Sequence, residues 1–291
     1  MKKGTIGAML MMVKKEIAEQ GVYAVMEQLK DIGINLVEVS QIPMTAEFVS
    51  ELQRACRDLH MEIGALSCGL NDLTAARKYP GDTLANDFDK IVADCKTLGC
   101  TTLRIGMMPV PYMESEEAGL EFIRLCEDYA IRLKEHGIRL YYHPHHMEMV
   151  KYNGKRFMDT MRDVTTHVGF ELDTHWMWRG GVDPVEYIKT FKGRIYLLHL
   201  KDYRIAPVNF ASYNVPEEEK MEYMFNKIVQ YAEVGEGVID YPNVLRTAVE
   251  CGTRYFHIEQ DDCYGRKPMD SIRLSYENLV KMGFKDWFDL E

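Results

Sequence analysis

No run in this sequence approaches the ~20 apolar residues that a membrane-spanning helix needs, so a bilayer span is not expected. Lys2-Lys3 and the apolar stretch to Val13 imitate the start of a secretory signal, but Gly4 and Gly7 interrupt it. The stretch then runs into Lys14-Lys15-Glu16 without a small-residue cleavage site, and reads as a first strand and its loop. Cysteine is sparse and unpaired in pattern. The seven residues are scattered, and the closest two, Cys95 and Cys100, have no matching second pair. That spacing suits neither a disulfide framework nor a zinc knuckle, and points to buried thiols in a reducing, cytoplasmic setting. Net positive charge is also missing: at −10 the chain is a poor partner for a phosphate backbone, and no nucleic acid is expected. No Pro/Gly/Ser-rich linker and no low-complexity segment divides residues 1–291, which are read as one domain.

What is present is a repeated passage from an amphipathic helix through glycine into a β-rich run. It occurs at Gly33, Gly99, Gly137 and Gly252, where glycine supplies the left-handed turn that ends a helix. Eight strands are expected, at Thr5–Leu10, Leu36–Ser40, Glu62–Ser67, Thr102–Gly106, Ile138–His143, Val168–Leu172, Ile195–His199 and Tyr255–Glu259. Helices fill the gaps, most clearly Ala46–Leu59, Ala85–Leu98, Glu116–Glu135 and Pro242–Cys251. Eight βα units make a parallel (β/α)8 TIM barrel. The open doubly wound alternative is disfavoured because no Gly-rich phosphate loop follows the first strand. The unit after strand seven is over-long. Pro216, three glutamates and the apolar set Met221, Met224, Phe225, Ile228 and Val229 predict an inserted amphipathic helix over the barrel mouth or in a subunit contact.

Barrel chemistry lies at the C-terminal strand ends. Five of the nine histidines fall at three consecutive ends: His143, His145 and His146 on strand five, His175 after strand six and His199 on strand seven. Within strands, residues two apart share a face, which makes His143, Asp173, His199 and Glu259 a ring of inward positions. Two imidazoles and two carboxylates suit one divalent ion of the Mn, Co, Zn or Fe type better than Mg. The same alternation turns Glu38, Arg104, Glu171 and His257 inward below the ring. There they must pair, either as a structural charge cluster or as a layer that orients the ligands.

The segments GIRLYYHPHH, FELDTHW, GGVDPVEYIKTFKGRIYLLHLKD, EVGEGVIDY and FHIEQDD resemble the xylose isomerase-like barrels, the sugar phosphate isomerase/epimerase superfamily that includes inosose isomerases and dehydratases. The resemblance implies a metal held by Glu, Asp, His and Glu from strands five to eight. Asp173, His199 and Glu259 match the last three, while His143 stands where the family has glutamate. Glu148 or His145 could instead supply the strand-five group. A histidine-rich strand five is similar to the inosose dehydratase branch. The resemblance implies proton abstraction next to a carbonyl, giving isomerisation or epimerisation of a sugar, keto-sugar or cyclitol. Dehydratase or lyase chemistry is the alternative, and a non-catalytic sugar-binding subunit of the same fold is a further one; assembly as a homo-oligomer or with the chain as an accessory subunit is the expectation for partners. Catalytic roles are expected for Glu259, His145, Lys201 and Glu148, and substrate contacts for His175, Trp176, Arg179, Glu38 and Arg104. Lys201 has a plain alternative as the ion-pair partner of Asp173 or Glu259.

Overall fold

The computed structural model describes residues 3–72, 81–211 and 214–290; Met1 and Lys2 lie outside them. Eight parallel strands close into a barrel: Thr5–Met9, Leu36–Val39, Glu62–Cys68, Thr102–Ile105, Arg139–Tyr142, Gly169–Asp173, Ile195–Leu200 and Tyr255–Ile258. Each pairs with its neighbours in the chain, and the first pairs with the eighth from Thr5↔Tyr255 to Ala8↔Ile258. All eight expected strands form, within about a residue or two at each end. Gly33, Gly99, Gly137 and Gly252 each take a positive φ at the turn from helix to strand, as the repeated pattern required.

Strand alternation splits the side chains into two compartments. Outward residues such as Ile6, Val37, Leu66, Leu103, Leu140, Phe170, Leu198 and Phe256 belong to one apolar core between barrel and helices. Inward, a small apolar floor that includes Ala65, Tyr141 and Leu197 closes the lower barrel, and above it the interior becomes polar. Helices Ala46–Leu59 and Glu116–Glu135 have the expected bounds, each capped by a side chain that accepts a hydrogen bond, Thr45 from Phe48 N and Ser115 from Ala118 N. The helix expected from Ala85 starts at Phe88, because Thr83 and Asp87 hold residues 83–87 in a turn of their own.

Glu127 ties the helix Glu116–Glu135 to the entry of strand six. Its carboxylate accepts from Thr166 N (2.9 Å), the Thr166 hydroxyl (2.6 Å), His167 N (3.0 Å) and Val168 N (3.2 Å). Burial would raise its pKa, but these hydrogen bonds outweigh it and lower it to about 2. A depressed carboxyl pKa stabilises the fold above the unfolded value near 4.3, and that contribution is lost as pH falls towards 2. Glu127→Gln is therefore expected to cost about 1–2 kcal/mol at neutral pH, after discounting for partial exposure. Chemical denaturation should show that deficit narrowing between pH 4.5 and pH 2 and absent below it; a deficit independent of pH would refute the assignment.

The insertion after strand seven departs from expectation. Asp202–Ile205 and Val229–Ala232 form an antiparallel pair, and the helical part between them is a short run of mixed turns from Glu217 to Lys227. Met221 and Phe225 do not form a buried face: they are 60% and 71% exposed, whereas Tyr223 is buried. Val229 belongs to a strand because its backbone completes the ladder begun at Ile205. Phe225→Ser should leave the free energy of unfolding, read from urea denaturation, within about 0.5 kcal/mol of the parent, as for other exposed sites. A larger loss would mean that Phe225 is covered in solution. Among the described residues, no helix is long and apolar enough to cross a membrane.

Candidate metal centre

Strands five to eight bring His143, Asp173, His199 and Glu259 together at the C-terminal mouth. One donor atom from each lies within 4.8 Å of the others, and all four residues are buried. Register explains the meeting: Asp173 pairs directly with His199, and Glu259 follows the strand whose His257 pairs with His199.

Asp173 has two tasks. A short helix, Thr174–Arg179, begins straight after the strand, and Asp173 is its N-cap, with Oδ1 accepting from Trp176 N at 2.9 Å. Oδ2 takes no part in the cap and lies 3.2 Å from the Lys201 ammonium. The turn-residue reading and the ligand reading of this aspartate thus describe different oxygens of one carboxylate. Burial raises its pKa to about 6, against the pull of Lys201, so a bound cation would favour its ionised form.

The two ring imidazoles start from different forms: burial would lower the His199 pKa, but Glu171, Glu259 and Glu38 outweigh it and hold it well above the ordinary histidine range, so an ion would displace a proton there. Burial, then the nearby His199, hold His143 well below the ordinary histidine range, and burial followed by Lys201 holds His145 at about 3. Both are neutral near pH 7. His143 Nδ1 faces the Glu171 carbonyl at 3.3 Å, which leaves Nε2 free for the site. Asp173 Oδ2, His199 Nδ1 and Glu259 Oε2 are buried atoms that make no well-formed hydrogen bond, although His199 Nδ1 and Glu259 Oε2 lie 2.6 Å apart. The N₂O₂ donor set of His143, Asp173, His199 and Glu259 fits a divalent ion, which would share Asp173 Oδ2 and Glu259 Oε2 with the Lys201 ammonium beside them.

Lys201 is fully buried beside the ring. Its ammonium lies 3.2 Å from Asp173 Oδ2, 2.8 Å from Glu259 Oε2 and 2.8 Å from Asp261 Oδ2. Burial alone would lower its pKa, yet the three carboxylates outweigh it and keep the group cationic. Burial likewise opposes ionisation of Glu259, but Lys201 and His199 hold that carboxyl well below its usual range.

A profile described as "Xylose isomerase-like TIM barrel" matches residues 26–282. The chain belongs to the xylose isomerase-like TIM-barrel family. Among curated proteins, no sequence matches it. Solved structures share the fold at low identity. Two sugar phosphate isomerase/epimerase structures from Parabacteroides distasonis are 16% and 19% identical, with TM-scores of 0.70 and 0.73; 99% and 96% of this chain and 96% and 98% of those chains are covered. A probable 3-DHS dehydratase involved in petrobactin synthesis, from Bacillus anthracis, is 11% identical with a TM-score of 0.66, covering 95% and 98%.

Other expected residues of this xylose isomerase-like barrel fall into three places. Trp176 is the hub above the ring. His145, His146 and His175 pack around it at 5.0–5.1 Å between ring centroids, and the Lys201 ammonium lies 5.0 Å from its ring. Arg179 is exposed at the rim, 5.9 Å from the same ring. Glu38 and Arg104, expected at the substrate, lie one layer below the ring, where they pair with each other at no more than 3% exposure. Glu148 is drawn away from the ring. Its carboxylate accepts from the Tyr142 hydroxyl and from His145 N (3.0 Å), and Tyr142 is an outward residue packed on Phe122. The geometry that turns Tyr142 outward takes Glu148 with it, so Glu148 is absent from the donor cluster.

Three contributors were missed from the sequence. Asp261 is the third anion on Lys201, and Tyr203 and Tyr231 pack on His175 at 5.2 and 4.6 Å. The alternation Val229, Tyr231 against Gln230 was a readable strand signal for Tyr231, masked by the helical spacing of the apolar residues before it.

Proposed function

We propose that this barrel is a divalent-metal-dependent enzyme that removes a proton next to the carbonyl of a sugar, keto-sugar or cyclitol and returns it as an isomerase. The observation carrying the reading is the buried donor set of His143, Asp173, His199 and Glu259 at the C-terminal mouth. An ion held by those four residues would polarise a carbonyl and an adjacent hydroxyl and favour the charge that develops on oxygen. The chain's own groups then divide the work. Glu259, kept ionised against burial by Lys201 and His199, is the carboxylate assigned as the base. Lys201, kept cationic, is a donor to a negative oxygen, and neutral His145 is a second hydrogen-bonding group beside it. Trp176, within its shell of three histidines and Tyr231, offers an apolar face to a sugar ring and excludes water from the reacting carbon.

With histidine on strand five and Glu148 engaged elsewhere, the ring has one carboxylate placed to act as base. Epimerisation with a base on each face is therefore disfavoured, and transfer on a single face is preferred. Elimination is the second reading. The same base with Lys201 or His145 as acid at a β-leaving group would make a dehydratase, and the unusual strand-five histidine favours keeping it.

The deciding experiment incubates metal-loaded protein in D₂O with unphosphorylated keto-sugars and cyclitols and follows the products by NMR. Deuterium incorporation without elimination supports isomerisation, and a dehydrated product supports the second reading. Neither exchange nor product with a metal-loaded protein would favour a sugar-binding subunit and overturn the proposal.

A further inference from the structure

His199 joins two layers of the barrel interior. On its upper side, Nδ1 lies 2.6 Å from Glu259 Oε2 and 3.8 Å from Asp173 Oδ2. On its lower side, Nε2 lies 3.1 Å from Glu38 Oε2 and 3.2 Å from Glu171 Oε1. Each lower carboxylate gives its other oxygen to one cation: Arg104 Nε is 3.0 Å from Glu171 Oε2 and in contact with Glu38 Oε1. His257 Nδ1 adds a contact to Glu38 Oε2 at 2.8 Å. The layer has space built for it. A Cβ on Gly64 would stand 2.4 Å from His257 Nε2, and one on Gly106 would stand 2.7 Å from Arg104 Nη1. None of these charged side chains is more than 3% exposed, so their geometry is held by one another.

An ion at Nδ1 would displace the proton there, and the one N–H that the neutral ring then keeps stands on Nε2. Resting on the reading of His199 as a metal ligand, we propose that Glu38 and Glu171 are positioning residues for it. Glu38 receives the His199 Nε2–H and the Glu171 carboxylate flanks it at 3.2 Å; together they fix the tautomer that aims the Nδ1 lone pair at the ion, and both are held in place by Arg104. Glu38, Glu171, His199 and His257 also have donor atoms within 4.8 Å of one another, and a second ion there is the rival arrangement. The guanidinium already bridging both carboxylates opposes it, because a second cation would sit against a fixed positive charge.

The test uses zinc as the probe, with chelator competition for affinity and proton–nitrogen correlation NMR of the histidine rings. The expected result for the unmodified protein is one zinc per chain, with His199 protonated at Nε2 and bound through Nδ1. Glu38→Gln and Glu171→Gln should each weaken zinc by about 10–100-fold, as other groups that orient ligands do. They should also shift the His199 Nε2–H signal. Lower melting temperature with unchanged affinity and an unchanged His199 signal would mean a structural charge cluster and overturn the proposal. So would two zinc ions per chain, or zinc bound through Nε2 in the unmodified protein, which decides the matter even if the variants fail to fold. Zinc bound through Nε2 would leave the metal reading standing; no zinc uptake at all would remove both.

Discussion

Asp173→Asn is expected to weaken divalent-metal binding by more than the ~10–100-fold seen when only an orienting neighbour is lost. It should also lower turnover on the order of 10²–10³-fold, the scale of losing one electrostatic contact in a reacting centre. The substitution isolates charge from architecture. Asparagine can still present a side-chain oxygen to Trp176 N, so the cap of the helix Thr174–Arg179 is retained. What disappears is the anionic Oδ2, the buried donor that faces the ring and the Lys201 ammonium. Loss of a buried carboxylate also leaves Lys201 with two anionic partners, Glu259 and Asp261. Calorimetric metal titration and solvent-exchange NMR read the two effects separately. Unaltered affinity would mean that the ion is held without Asp173, and the ring would have to be redrawn.

The second large effect concerns Lys201. Lys201→Met removes the cation from a pocket where Asp173, Glu259 and Asp261 lie within 3.2 Å of its ammonium. Breaking a buried ion pair by removing one partner typically costs about 3–5 kcal/mol, because the remaining charge stays desolvated. For a chain of this length the expected drop in melting temperature is on the order of 10 °C in metal-free protein. Added metal should restore more stability to the variant than to the parent, since a divalent ion supplies positive charge to Asp173 and Glu259. Turnover should remain low even when stability is restored, if Lys201 donates to the substrate oxygen. Equal melting temperatures in metal-free parent and variant would place the ammonium outside the carboxylate cluster.

Much of the site was readable before any coordinates. Histidines gathered at successive strand ends, and alternation by two, selected His143, Asp173, His199 and Glu259 and also the inward layer of Glu38, Arg104, Glu171 and His257. Arg104 meets both Glu38 and Glu171, as the cost of burying an unpaired charge demands. Less readable were contacts that depend on where a loop travels after its strand. Glu148 lies only five residues from His143, yet a single turn at 147–149 and the Tyr142 hydroxyl take its carboxylate away. Asp261, two residues past Glu259, reaches Lys201 from the loop after strand eight, and Tyr231 reaches Trp176 from a distant segment, a meeting that no spacing in the chain encodes.

Local patterning alone specified the eight strands, the glycine turns before them and the alternating inward set, because backbone periodicity and left-handed conformations are properties of short segments. Closure of the barrel decided the rest. It paired Asp173 with His199 across neighbouring strands, placed three carboxylates around one buried ammonium and turned the two nitrogens of His199 towards different layers. Those arrangements depend on the relative heights of strands that are far apart in the chain, and register is set by the packing of the whole sheet.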